Sequence, residues 1–115
     1  MSSMLTSSHR AALIANGYRS IRDESFDPFP VAKLFTPDAG ATWLLSEIDP
    51  ADPDRAFGLC DLGLACPELG WVSLQEICNV RGRLGLPVEL DLGWRARKPL
   101  SAYVADALAI GHIMA

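Results

Sequence analysis

Little in this chain is arranged for bond-making chemistry. The two histidines, His9 and His112, sit near opposite ends, and neither has a Cys, Asp or Glu at metal-ligand spacing. Cys60, Cys66 and Cys78 include no C-x-x-C pair, so neither a zinc cluster nor a paired-thiol redox motif is expected. The glycines never fall into a phosphate-loop or dinucleotide-binding pattern. No metal or other cofactor is therefore expected. No apolar run approaches the roughly 18–20 residues of a bilayer span, so no membrane association is expected. The opening stretch Met1–Ser8 has neither the charged nor the apolar region of a secretory leader. A cytoplasmic location is expected, with the cysteines reduced and serving as small hydrophobes. Cys66, in an expected turn, is the thiol most open to reaction. Basic residues are also few: ten Lys+Arg against fourteen Asp+Glu leave a net charge of −4. That balance speaks against direct non-specific nucleic-acid binding, which needs a basic stripe, and leaves a protein partner open.

What is present is ordinary globular material. Of 115 residues, 50% are apolar and 21% charged, which suits one folded domain over 1–115. Residues 8–16 predict a helix capped by Ser7 or Ser8 and closed at Gly17. Residues 18–30, ending Phe26-Asp27-Pro28-Phe29-Pro30, predict an extended linker, because the prolines oppose a helix. The α+β body is expected from residue 31. Val31–Thr36 and Ala41–Ile48 flank the turn Pro37-Asp38-Ala39-Gly40 and predict a hairpin. Arg55–Leu62 predicts a third strand, with Ala56, Gly58 and Cys60 making one small-residue face.

Cys66–Gly70 reads as a turn leading to a short strand at Trp71-Val72. Ser73-Leu74-Gln75-Glu76 is a capping box that opens a helix over 74–80, with Val72 and Ile77 as its hydrophobic staple. Val88–Trp94 alternates strictly, placing Val88, Leu90, Leu92 and Trp94 on a core face. A last helix over 102–110 follows, with Ser101 as cap and Gly111 as stop. Trp43, Trp71 and Trp94 fall in strands and read as core or sheet-face residues. Strands joined by short turns favour an antiparallel sheet of about four to five strands, with N-terminal, middle and C-terminal helices packed on it.

The charges are distributed unevenly. Carboxylates gather at Glu47, Asp49, Asp52, Asp54, Asp61 and Glu68, and cations follow at Arg81, Arg83, Arg95 and Arg97, with Lys98 beside them. Asp49, Asp52 and Asp54 adjoin prolines and suit turn formation. The same residues could present a negative face to a basic partner. The later arginines are the place to look for phosphate contact. These ten residues are the candidate partner-binding set.

Several runs carry a family resemblance. They are Val31–Leu45, Phe57-Gly58-Leu59-Cys60-Asp61-Leu62-Gly63, Pro67–Leu74, Leu84–Glu89 and Lys98–Tyr103. The chain resembles the bacterial domain-of-unknown-function family numbered 2958. The resemblance implies carriage on plasmids, phages and conjugative or integrative elements, and no activity. Small size, an acidic balance and no catalytic constellation fit a non-enzymatic binding protein. In the implied setting its sharpest form is an anti-defence inhibitor of the anti-CRISPR type, binding a host protein or ribonucleoprotein complex. One alternative is a DNA-processing, conjugation or replication accessory protein with nucleic-acid-linked activity. Another is a structural subunit that self-associates through a sheet edge into a homo-oligomer.

Overall fold

The computed structural model describes residues 4–115. Met1, Ser2 and Ser3, part of the stretch read for a leader, lie outside the described residues. The chain forms α1 (Ser7–Arg22), β1 (Ala32–Phe35), β2 (Thr42–Ile48), β3 (Arg55–Asp61), β4 (Glu68–Ser73), α2 (Leu74–Cys78), β5 (Glu89–Leu90) and α3 (Leu100–Ile110). This is the expected α+β architecture. The strands make one five-stranded sheet in the order β4-β3-β2-β1-β5, with every neighbouring pair antiparallel.

Period-two alternation assigns the two faces. Ala32, Leu34, Trp43, Leu45 and Ala56 point to one side, where they pack with Leu13 of α1 and with Leu74 and Ile77 of α2. Leu44 and Leu59 point to the other side, beneath Leu100, Tyr103 and Ala107 of α3. The sheet is thus sandwiched, with two helices on one face and one on the other. Among the described residues no helix is long and apolar enough to cross a membrane.

The first helix departs from expectation at both ends. Thr6 is its N-cap, with Oγ1 accepting the His9 amide at 3.1 Å, and Ser7 and Ser8 lie inside it. Gly17 does not end the helix, which continues to Arg22 through residues read as linker. The glycine serves close packing instead. A Cβ at position 17 would stand 2.0 Å from the Ile48 carbonyl oxygen of β2. One residue earlier, the Asn16 side-chain amide donates to the Ser46 carbonyl at 2.9 Å. Arg19 and Arg22 in the last turn complement the helix dipole. The extended linker is therefore confined to the segment before β1.

In β2 a bulge falls between Leu45 and Glu47, which pair with Gly58 and Phe57 and leave Ser46 as the extra residue. Gly58 lies opposite this bulge, and a Cβ there would come 2.1 Å from the Leu44 carbonyl oxygen. β4 is longer than the expected Trp71-Val72. It begins at Glu68 and keeps register with β3 from Cys60↔Glu68 to Arg55↔Ser73. The turn is pushed back to the residues before it, where Gly63 and Ala65 take positive φ. α2 starts as expected, Ser73 accepting the Glu76 amide at 3.1 Å, but ends at Cys78.

The strictly alternating run Val88–Trp94 yields only a two-residue strand. β5 pairs with Phe35 and Leu34, Asp91 still donates to the Lys33 carbonyl at 3.0 Å, and the chain then turns away. Pro30, just before β1, has no amide with which to prolong the ladder. Leu92 is exposed, and Trp94 packs with Tyr103 under α3, ring centroids 6.0 Å apart, instead of lining β5. α3 begins at Leu100 with Pro99 as N-cap, so Ser101 is not the cap. Gly111 ends it in the left-handed conformation, φ 86°, as expected.

Candidate functional site

The loop Asp49–Asp54 between β2 and β3 is a hydrogen-bonded double turn. Asp49 Oδ1 accepts the Ala51 amide at 2.9 Å, and Asp52 Oδ1 accepts the Asp54 amide at 3.1 Å. Each is the local side-chain-to-backbone bond that makes aspartate a turn former. Backbone bonds from Asp52 to Asp49 and from Arg55 to Asp52 close the same turns. Asp54 reaches out of the loop. Its carboxylate accepts the Ser73 hydroxyl at 2.6 Å and the Gln75 amide at 2.8 Å, capping α2 from outside. These bonds hold the Asp54 carboxyl below its ordinary value, the Ser73 hydroxyl contributing most.

Around this loop the expected acidic face separates into parts. Asp52, Asp54 and Glu68 are exposed and Asp49 is half-buried. Asp49 pairs with Arg55 at 3.4 Å, and the Arg55 guanidinium lies 4.3 Å over the ring of Trp71. Asp52 and Glu68 form no ion pair among the described residues. Glu47 and Asp61 are buried and belong to the interior. Burial pushes the Glu47 carboxyl up, a Ser20 hydroxyl bond opposes this, and nearby Asp49 adds to it. Asp61 accepts the Gly63 amide and the Ile113 amide, each at 2.9 Å, tying the C-terminal residues to the end of β3.

The arginines do not converge. Arg81 donates to the Cys78 and Val80 carbonyls beyond α2, and Arg95 to the Leu92 and Trp94 carbonyls. Arg83 and Arg97 are exposed without an ion pair among the described residues. Lys98 is paired with Asp106 and also lies over the Tyr103 ring. Among the described residues no three His, Cys, Asp or Glu side chains gather as a metal site would require. Cys66 is exposed as expected, whereas Cys60 and Cys78 are only half-buried. The Cys60 thiol is pushed up to about 11 by burial, with the Glu68 carboxylate adding to it.

Two carboxylates that the sequence did not mark organise other parts of the surface. Asp38, in the β1–β2 turn, inserts into the loop before β5 and accepts the Leu84 amide at 2.6 Å. Its other oxygen is buried and has no hydrogen-bond partner among the described residues, and a Cβ on Gly82 would lie 1.9 Å from it. Asp27 accepts the Ser101 amide at 3.1 Å and also the Ser101 hydroxyl, supplying the cap that α3 lacks locally. An open cleft of about 660 Å³ lies between the end of α1 and residues 23–29. Its polar lining is already engaged: Arg19 stacks 4.4 Å over Phe26, and Asp23 accepts both the amide and the hydroxyl of Ser25.

The remaining exposed feature is β4 itself. Leu69 and Trp71, 46% and 42% exposed, stand on the sheet face that α3 covers only in part. Trp71 meets Phe57 edge-on, with centroids 5.2 Å apart. The class is thus an α+β sheet sandwiched by helices, with an acidic double turn beside an open edge strand. The chain belongs to the family described as Protein of unknown function (DUF2958), which it matches over residues 4–114. Comparison with curated proteins gave no significant match, and neither did comparison with solved structures.

Proposed function

We propose that this chain is a non-enzymatic binding protein whose acidic double turn docks on a basic surface of a host protein or ribonucleoprotein complex in the cytoplasm. In the mobile-element setting implied by the family resemblance, its sharpest form is an inhibitor of a host defence complex. The observation that carries the reading is the state of Asp52 and Glu68: exposed carboxylates with no ion pair among the described residues. Asp52 also accepts the Asp54 amide within its turn, a local bond that favours a defined loop shape and so a lower ordering cost of binding. Unpaired rim charges act mainly by steering association, and salt weakens that effect.

The test begins with affinity capture from the host and identification of the partner by mass spectrometry. Association kinetics are then measured with Glu68→Lys and with Asp52→Asn, which removes the charge but keeps the oxygen that accepts the Asp54 amide. Asp54 is left intact because it caps α2. Each change is expected to slow association about two- to tenfold at low salt, with the difference shrinking at high salt. Association rates that match the unaltered chain at every ionic strength would refute the acidic-docking reading. A second reading, self-association through the open β4 edge, predicts a mass that rises with concentration in light scattering.

A further inference from the structure

We infer that β4 is a docking edge for an extended basic segment of the partner, which adds to the sheet as a sixth strand beyond Ser73–Glu68. The inference rests on the acidic-docking reading and names how the partner is held. Of the two sheet edges, β5 offers only two residues, whereas β4 offers six in unbroken register with β3. In an antiparallel ladder, alternate residues of an edge strand turn their N–H and C=O groups outward. Natural edges are blunted by proline, lysine, bulges or a covering element. β4 contains neither proline nor lysine, its register shows no bulge, and among the described residues no other strand pairs along its outer side. At its centre a Cβ on Gly70 would meet nothing within 4 Å, so the edge is also open above the backbone.

Charge decides the occupant. Glu68 stands at one end of β4. At the other end lie Asp52, Asp54 and, three residues past Ser73, Glu76 of α2. The cation in this neighbourhood, Arg55, is already paired with Asp49 and stacked on Trp71. A second copy, crossing antiparallel about Gly70, would set Leu69 opposite Trp71 of its mate. It would also bring Glu68 of each copy toward the carboxylates at the far end of the other, a like-charge arrangement that opposes pairing. A strand with Lys or Arg near both ends and apolar residues beside Leu69 and Trp71 meets both requirements. Main-chain bonds would supply the affinity, and the alternate side chains the selectivity.

The probe is acetyl-Lys-Val-Lys-Val-Lys-Val-Lys-amide, compared with a counterpart of identical side chains whose backbone nitrogens are methylated. Amide hydrogen exchange of the full chain is followed by NMR. The unmethylated peptide is expected to slow exchange of alternate amides within residues 68–73 by about tenfold or more, and the methylated one is not. Leu69→Lys, which alters an exposed side chain, is expected to abolish that protection while leaving the rest of the spectrum in place. If both peptides shift residues 49–54 equally and neither protects β4, strand addition fails while acidic docking stands. If neither peptide binds at all, both readings fail. Protection of β4 that rises with protein concentration without peptide, and is lost in Leu69→Lys, would overturn the choice of occupant in favour of a second copy.

Discussion

Glu47 illustrates how one buried carboxylate ties stability to pH. Burial raises its folded-state value above the 4.5 of an unperturbed glutamate, so the fold favours its protonated form. The group's contribution is fully present below about 4.5 and is lost as pH rises through the raised value. Glu47→Gln is therefore expected to be more stable than the unaltered chain at pH 7. The advantage should close as pH falls to 4, measured as the urea midpoint at each pH. In the sequence Glu47 reads as the first of a run of carboxylates that could form a negative face. The bulge at Ser46, which no local residue announces, breaks the alternation that would have revealed its burial. Asp61 was more legible: it shares the parity of Leu59 and Phe57, which pack on the α3 side. Its charge, in a stretch rich in carboxylates, masks that signal.

For single elements, legibility followed the range of the deciding contact. The α2 cap was readable because Ser73 and Glu76 are three residues apart. The α3 cap was not, because Asp27 reaches Ser101 across 74 residues. Gly17 misled for the same reason. A glycine after a short apolar run resembles a helix stop, whereas here it admits the backbone of β2. Arg19 and Arg22, suited to a last turn, were the available sign that α1 continues. Gly17→Ala tests this account. Alanine is the better helix former by about 1 kcal/mol, yet the overlap with the Ile48 carbonyl cannot be relieved without moving backbone. The variant is expected to lose about 2 kcal/mol or more in equilibrium unfolding, and a gain in stability, as helix propensity alone would give, would refute the close-packing account.

Across the whole molecule, the antiparallel α+β plan was legible from short turns and alternating strands. The return of β5 beside β1 was not, since two residue pairs carry it. Nor did the sequence foretell that the chain's end is fastened back on the sheet. Asp61 holds the Ile113 amide, and Lys33 Nζ donates to the Ala115 oxygen at 2.8 Å. Asp61→Asn confronts two backbone amides with a side chain that retains only one acceptor oxygen. It is expected to cost about 1–3 kcal/mol and to speed hydrogen exchange at Ile113. An unchanged melting curve with unchanged exchange would show that the tail is secured elsewhere.

The unequal lengths of the outer strands bear on how copies of this chain can join edge to edge. With six residues on one flank and two on the other, the two edges are not matched partners for each other. A copy of this chain that offered its own β5 to the β4 of a neighbour could pair over two residues only, so head-to-tail growth into a ribbon is disfavoured.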